Sequence, residues 1–401
     1  ATIADRCNDT IKMVVDCGCE FVPNKMLFEA GHSVPRSYEI KAGTGSGYIR
    51  PMEAELKKIP TVTIRTRCKM DDFVVDETGA VVGITARTGY RFNAKLVNDD
   101  RENKTGKAVT IRAKKGVMLA AGGFSRDIEF RQAQDPRVVP STDSTNQPGS
   151  TAGVLIKAMG IGALPIQLCW LQFLPYCNPR EKGFGVSVNF TNHACMDYGV
   201  VVDRKTGKRF MDESISYKTQ ADIAFAQPEG KSWIVFDDNI RRIAMKMDPM
   251  QDGILWKPID EGKCPDYVFM GNTIEEAAQK AGLDPKAVAE TVKNYNGYVD
   301  AGKDPEFGRA GLASGQGKLV RIEKAPFFIF PSVGAMIGTY CGIKITPKAE
   351  VVDVFGEVIP NLYAAGEMTG GVHGASYMTG TAFSKAMSFG RIAVRAIAQK
   401  K

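Results

Sequence analysis

Residues 361–391 read NLYAAGEMTGGVHGASYMTGTAFSKAMSFGR. Within them, Leu362-Tyr-Ala-Ala-Gly-Glu367 is an apolar strand that ends in small residues and then an acid. A carboxylate at the C-terminal end of such a strand accepts hydrogen bonds from sugar-type hydroxyls. The glycine-rich run GGVHGASYMTGTAF follows and opens a helix at residues 380–383. A helix N-terminus presents free N–H groups and a partial positive charge, which suits an anion. Strand, acid, glycine loop and helix in this order predict an α/β fold with a nucleotide-type site.

The same pattern occurs earlier. Val117-Met-Leu-Ala-Ala-Gly-Gly-Phe124 is an apolar strand running into small residues and two glycines. Alone it reads equally as a buried strand with a tight exit turn; paired with the later loop it is a second close-approach site for a nucleotide. Gly43-Thr-Gly-Ser-Gly47 has no apolar strand before it and reads as a turn into an amphipathic helix. A strand followed by G-x-G-x-x-G is absent.

Between these loops, TVTIRTRC (61–68), FVVDETGAVVGITARTG (73–89) and residues 108–115 alternate as antiparallel strands, with a hairpin at Glu77–Ala80. Thr273-Ile-Glu-Glu276 is a capping box, and Asp284-Pro285 supplies an N-cap with Pro at the first helical position. Helices are therefore predicted over 274–281 and 285–300. A strand (GIKIT), a hairpin (VVDVFGEVI) and a long helix from about Thr381 close the chain, and Thr2–Val15 has helical spacing.

Composition narrows the class. The 401 residues are 44% hydrophobic and 24% charged, as in ordinary globular proteins, and allow two domains. No apolar run reaches the roughly 18–20 residues of a membrane span. The net charge of +7 is spread along the chain, which argues against a nucleic-acid footprint. Nine cysteines form no CxxC pair, so no metal site is expected, and their apolar settings suggest reduced thiols.

AAGGF (120–124), STNQPG (144–149), KRFMDES (208–214) and AAGEMTGGVHGA followed by AFSKAMSFGRIA resemble the FAD-binding segments of fumarate reductase, succinate dehydrogenase, urocanate reductase and 3-ketosteroid dehydrogenase flavoproteins. The resemblance spans nearly the whole chain. It implies a Rossmann-like FAD-binding domain with an inserted α+β capping domain. Residues 1–150 would be the middle part of the FAD domain, 151–330 the capping or substrate domain, and 331–401 the C-terminal part. It also implies that the family's N-terminal GxGxxG part lies outside this chain, completed by another segment or subunit. Location stays open between cytoplasm and export, because any leader would precede residue 1.

By the same resemblance, Ala121, Gly122 and Gly123 approach the nucleotide, and Thr145 and Asn146 lie near the ring system. Gly366 and Glu367 face the ribityl side. Ala382 and Phe383 sit at the helix start under the flavin pyrimidine, where reduced flavin carries negative charge, and His373 lies close to the ring. Ser150-Thr-Ala-Gly153 lacks the Asp that relatives usually carry before the glycine.

The substrate positions depart from the dicarboxylate enzymes. Tyr217 stands where they place a proton-donating Arg after the RFM-acid-acid motif, and Tyr377 where a second Arg grips a carboxylate. Their paired histidines are replaced by Ile337-Gly338, and the histidine of HPT by Leu174. Arginine's fork is the usual carboxylate partner, and tyrosine does not match it. Tyr217, Tyr377 and Tyr340 suit instead a ketone oxygen or an aryl group, one phenol polarising the carbonyl and another moving the proton. On residue pattern alone Tyr217 also fits a packing role. His32 and His193 read as hydrogen-bonded or solvent histidines.

The expectation is an FAD-dependent oxidoreductase acting on a C=C or CH–CH bond beside a carbonyl. It would take a small unsaturated carbonyl substrate and an external electron donor or acceptor. The alternatives are a fumarate- or urocanate-type acrylate reductase, or a flavin-binding subunit of a larger complex.

Overall fold

The computed structural model describes residues 2–28, 32–140, 142–177, 198–247, 256–313 and 317–400. His193 lies outside them, and the side chain of Tyr217, which opens the helix Tyr217–Phe225, is outside the description too.

The strand Val117–Leu119 pairs in parallel with Val358–Ala364, which pairs antiparallel with Glu350–Val352. The parallel register sets Leu362 opposite Val117 and Ala364 opposite Leu119. Both glycine-rich exits therefore leave the sheet at the same end. The expected hairpin after Glu350 and the strand carrying Tyr363 are both present. The helix Thr381–Gln399 packs on this sheet through Phe389 and Ala393, and against the first helix, Thr2–Asp16.

A separate antiparallel sheet is formed by Cys68–Val75, Val81–Thr88 and Lys107–Arg112. Its hairpin turns over Asp76, whose carboxylate accepts from the N–H groups of Thr78 and Ala80, while Gly79 supplies the positive φ of 80°. The predicted strand at 61–68 is a correction: pairing starts only at Cys68. Val62 and Ile64 alternate as a strand would but are 41% and 50% exposed. Alternation forms a strand only where a neighbour takes up the backbone groups.

The larger sheet orders Phe269–Gly271, Phe327–Thr339, Lys231–Asp237 and Val200–Val202, with Leu171–Cys177 also paired to the long strand. Its core holds Trp233, Phe236, Trp256, Phe328 and Phe330 with the helix Pro285–Ala301. The predicted caps are present. Thr273 accepts from the Glu276 N–H, and Asp284 from those of Lys286 and Ala287. A second core contains Leu119, Phe124, Leu155, Phe173, Met336 and Leu362. The 13-residue strand Phe327–Thr339 runs from the first core into the second and is followed directly by Tyr340.

Arg209 and Glu213 of the RFMDE run are fully buried, 2.6 Å apart, and joined by Asp304 (2.9 Å from Arg209) and Arg309 (3.2 Å from Glu213). Arg309 also donates to the Gly199 carbonyl, and Glu213 accepts from the Val201 N–H. The motif is a fastener inside the larger-sheet core.

Candidate functional site

Three loops converge at the end of the parallel sheet. After Leu119 the chain turns through Gly122, at φ +85° with open space on the side a Cβ would occupy. A Cβ on Gly123 would lie 2.2 Å from Thr339 Oγ1 and 2.3 Å from Glu367 Oε1. The position is glycine because two other elements meet it there.

Glu367 closes this contact. Its Oε1 accepts from the Thr339 N–H at 2.7 Å and from the Thr339 hydroxyl at 3.3 Å. Burial pushes its carboxyl above the usual range, and the Thr339 donors and the Lys385 charge pull it part of the way back. Gly366, at φ +77°, lies against Ala386 of the final helix.

Thr145 and Asn146 are fixed between the first loop and the long strand. The Thr145 N–H donates to the Met336 carbonyl at 2.9 Å, and Asn146 Nδ2 to Ser125 Oγ at 2.8 Å. Ala121 lines a cavity of about 620 Å³ with Gly149, Thr151, Gly153, Lys69 of the antiparallel sheet and Tyr90 just beyond that sheet's second strand.

The third loop brings the aromatic residues together. Tyr340, directly after the long strand, stacks on Tyr377 with centroids 4.7 Å apart and planes at 22°. His373 sits edge-on to both rings, at 5.2 Å and 5.8 Å. The Tyr377 oxygen accepts from the Gly380 N–H at 3.3 Å, and His373 Nδ1 is 3.3 Å from Thr381 Oγ1. Burial drives the His373 imidazole down to about 4, helped by the Lys385 charge, so it is neutral near pH 7. Burial raises the Tyr340 phenol, with Tyr377 and Glu367 adding to it, which keeps it a donor and opposes any role as a base.

The final helix starts at Gly380, φ +88°, with no side-chain cap and no acid in its first turn. A helix end left open in this way, beside a cradle of glycines, fits an anionic ring system. Ala382 and Phe383 occupy its first turn. The Phe383 ring packs against Tyr48, with centroids 4.1 Å apart and planes tilted by 30°, at the small core of Val14, Cys19 and Ile40.

His32 is hydrogen-bonded, as its sequence reading allowed, but its partner in the glycine loop and the burial of Lys385 were not legible in the sequence. His32, buried, places Nε2 3.0 Å from the Thr379 carbonyl, and Ser37 Oγ donates to that carbonyl, so residues 32–37 clamp the glycine loop. Arg36, on the same clamp, reaches Met378 Sδ at 3.5 Å and forms no ion pair among the described residues. Lys385 is 1% exposed and donates to the Thr369 carbonyl at 2.8 Å. A lysine amid the small and apolar residues of AFSKAMSF was its only sequence signal. Among the described residues no cluster of His, Cys, Asp or Glu could hold a metal, and no helix is long and apolar enough to cross a membrane.

The chain is 30% identical over 406 residues to the acrylate reductase flavoprotein subunit of Shewanella woodyi, covering 99% of this chain and 74% of that one. It is 25% identical over 381 residues to a 3-oxosteroid 1-dehydrogenase of Mycolicibacterium smegmatis, covering 89% of this chain and 62% of the relative. The open conformation of a flavocytochrome c3 fumarate reductase superposes with a TM-score of 0.75 at 26% identity, over 99% of this chain and 63% of that one. The chain thus spans about three fifths of the length of two of these three proteins. The sequence profile of the FAD binding domain family matches residues 25–382. With that match and the mixed helix-and-sheet fold shared with the flavocytochrome, the chain belongs to the FAD binding domain family of flavoproteins.

Proposed function

We propose that this chain forms the flavin-holding and substrate-facing part of an enzyme that reduces, or in reverse forms, a C=C bond beside a carbonyl. The observation that carries the reading is the Tyr340–Tyr377–His373 cluster set against the uncapped start of the helix Thr381–Gln399. Bound FAD supplies the hydride chemistry. Gly122, Gly123, Thr145, Asn146, Gly366, Glu367, His373, Ala382 and Phe383 form its cradle around one helix end, and Ala121 faces the cavity beside it.

Tyr340 and Tyr377 have distinct parts in this scheme. The raised Tyr340 phenol stays protonated and donates a hydrogen bond to the substrate carbonyl, polarising it. Tyr377, half-buried at the loop edge, delivers the proton to the neighbouring carbon. Neutral His373 packs on both rings and fixes their orientation. We assign no step to Tyr217. The architecture follows as a Rossmann-like flavin domain from 1–150 and 331–401, with 151–330 as an inserted capping domain.

A second reading rests on Arg36. Its guanidinium lies at Met378, next to Tyr377, without a carboxylate partner among the described residues, and would serve an acrylate-type acid. One experiment ranks the two. The FAD-loaded protein is reduced anaerobically and mixed with a 3-keto-4-ene steroid, a cinnamate-type acid, acrylate and fumarate, and flavin absorbance is followed. Fast reoxidation by the unsaturated ketone supports the tyrosine reading. Fast reoxidation by acrylate or the cinnamate-type acid that is lost in Arg36→Met supports the second, and reoxidation by fumarate alone sinks the first.

A further inference from the structure

Lys385 is the fifth residue of the helix Thr381–Gln399 and among the largest fully buried side chains of the protein. Its ammonium donates to one carbonyl, that of Thr369, and no carboxylate forms an ion pair with it among the described residues. Withdrawing an ammonium from water costs several kcal/mol, and a single neutral carbonyl returns only part of that. Burial accordingly pulls its proton affinity down to about 8.

The position is also unfavourable for the helix itself. A cation near the N-terminus opposes the macrodipole, and this helix has no acid in its first turn to offset it. Lys385 lies four residues beyond Thr381, about 6 Å along the axis at 1.5 Å per residue. Its charge reaches the surroundings of the proposed site, shifting Glu367, Cys341 and His373 alike. If the group only secured Thr369, a neutral amide would do so without the charge. Glu367 offsets part of the ammonium's charge, but it is engaged by Thr339 and its own carboxyl is raised by burial, and no acid stands in the helix's first turn. An anion arriving at the helix end would meet both positive sources.

We propose that Lys385 is an electrostatic tuning residue whose buried ammonium adds to the helix N-terminus to stabilise the anionic reduced flavin and so raises the flavin's reduction potential. This rests on the proposed placement of the flavin ring at that helix start. Lys385 acts through its field and through Thr369, without touching the substrate.

The test compares wild type, Lys385→Met and Lys385→Arg as FAD-loaded proteins. FAD affinity, midpoint potential by dye equilibration, and sulfite affinity read from bleaching of the flavin band are measured for each. Sulfite is the probe because its flavin adduct places negative charge on the ring. Lys385→Met is expected to retain FAD but bind sulfite at least tenfold more weakly. Its reduction equilibrium should fall by a similar factor, about 30 mV for a two-electron couple. Lys385→Arg should stay within threefold of wild type. Unchanged potential and sulfite affinity in a Lys385→Met protein that holds FAD would overturn the proposal, as would equal losses in both variants. If neither variant folds, wild type still decides: absence of any sulfite adduct at millimolar sulfite overturns it. Failure of wild type to take up FAD is a different result, which removes the flavin placement and this inference with it.

Discussion

Gly123 is held to glycine by neighbours from two distant segments, Thr339 and Glu367. Gly123→Ala must displace both side chains and break the Thr339–Glu367 hydrogen bond, so a loss of about 1–3 kcal/mol is expected in urea unfolding, with weaker FAD binding. Tyr377→Phe removes the proposed proton donor but keeps the stack on Tyr340. Reoxidation by the unsaturated substrate should slow by about 10²-fold or more with FAD still bound, and an unchanged rate would remove Tyr377 from the chemistry. His373 titrates near 4 in the folded chain against 6.5 ordinarily. The unfolded chain therefore binds more protons between those values, and this group's contribution to stability is lost as pH falls from about 6.5 to 4. Denaturation midpoints measured across that window should decline less steeply in His373→Phe than in wild type.

At the scale of elements, local signals were legible where neighbours in sequence are neighbours in space. Thr273 and Asp284 capped their helices as the sequence implied, and Asp76–Gly79 made its hairpin turn. The Arg209–Glu213 pair sits within one motif, but its partners Asp304 and Arg309 come from beyond the helix Pro285–Ala301. Nothing in the RFMDE run names them. Glu213→Ala would leave two buried guanidinium groups short of their carboxylate, and an equilibrium unfolding loss of about 3–5 kcal/mol is expected. A loss below 1 kcal/mol would mean that water reaches the cluster in the folded state.

Across the whole molecule, the long strand Phe327–Thr339 couples the larger-sheet core to the site, because it ends at Thr339, which holds Glu367, and is followed by Tyr340, which stacks on Tyr377. Occupancy of the site should therefore stabilise more than the loops around it. Stripping FAD is expected to lower the melting temperature, and adding it back at about 100 times its Kd should restore about 2.7 kcal/mol. A melting curve insensitive to FAD would contradict the cradle. The sequence by itself determined the α/β pattern, the two glycine exits, the helix caps and the family, since each depends on residues a few positions apart. The tertiary structure alone decided that Tyr340 and Tyr377 stack, that His32 and Ser37 clamp the glycine loop, and that Lys385 is a buried cation. Those outcomes depend on which distant segments exclude water from one another, and burial of that kind leaves no fixed spacing in the chain.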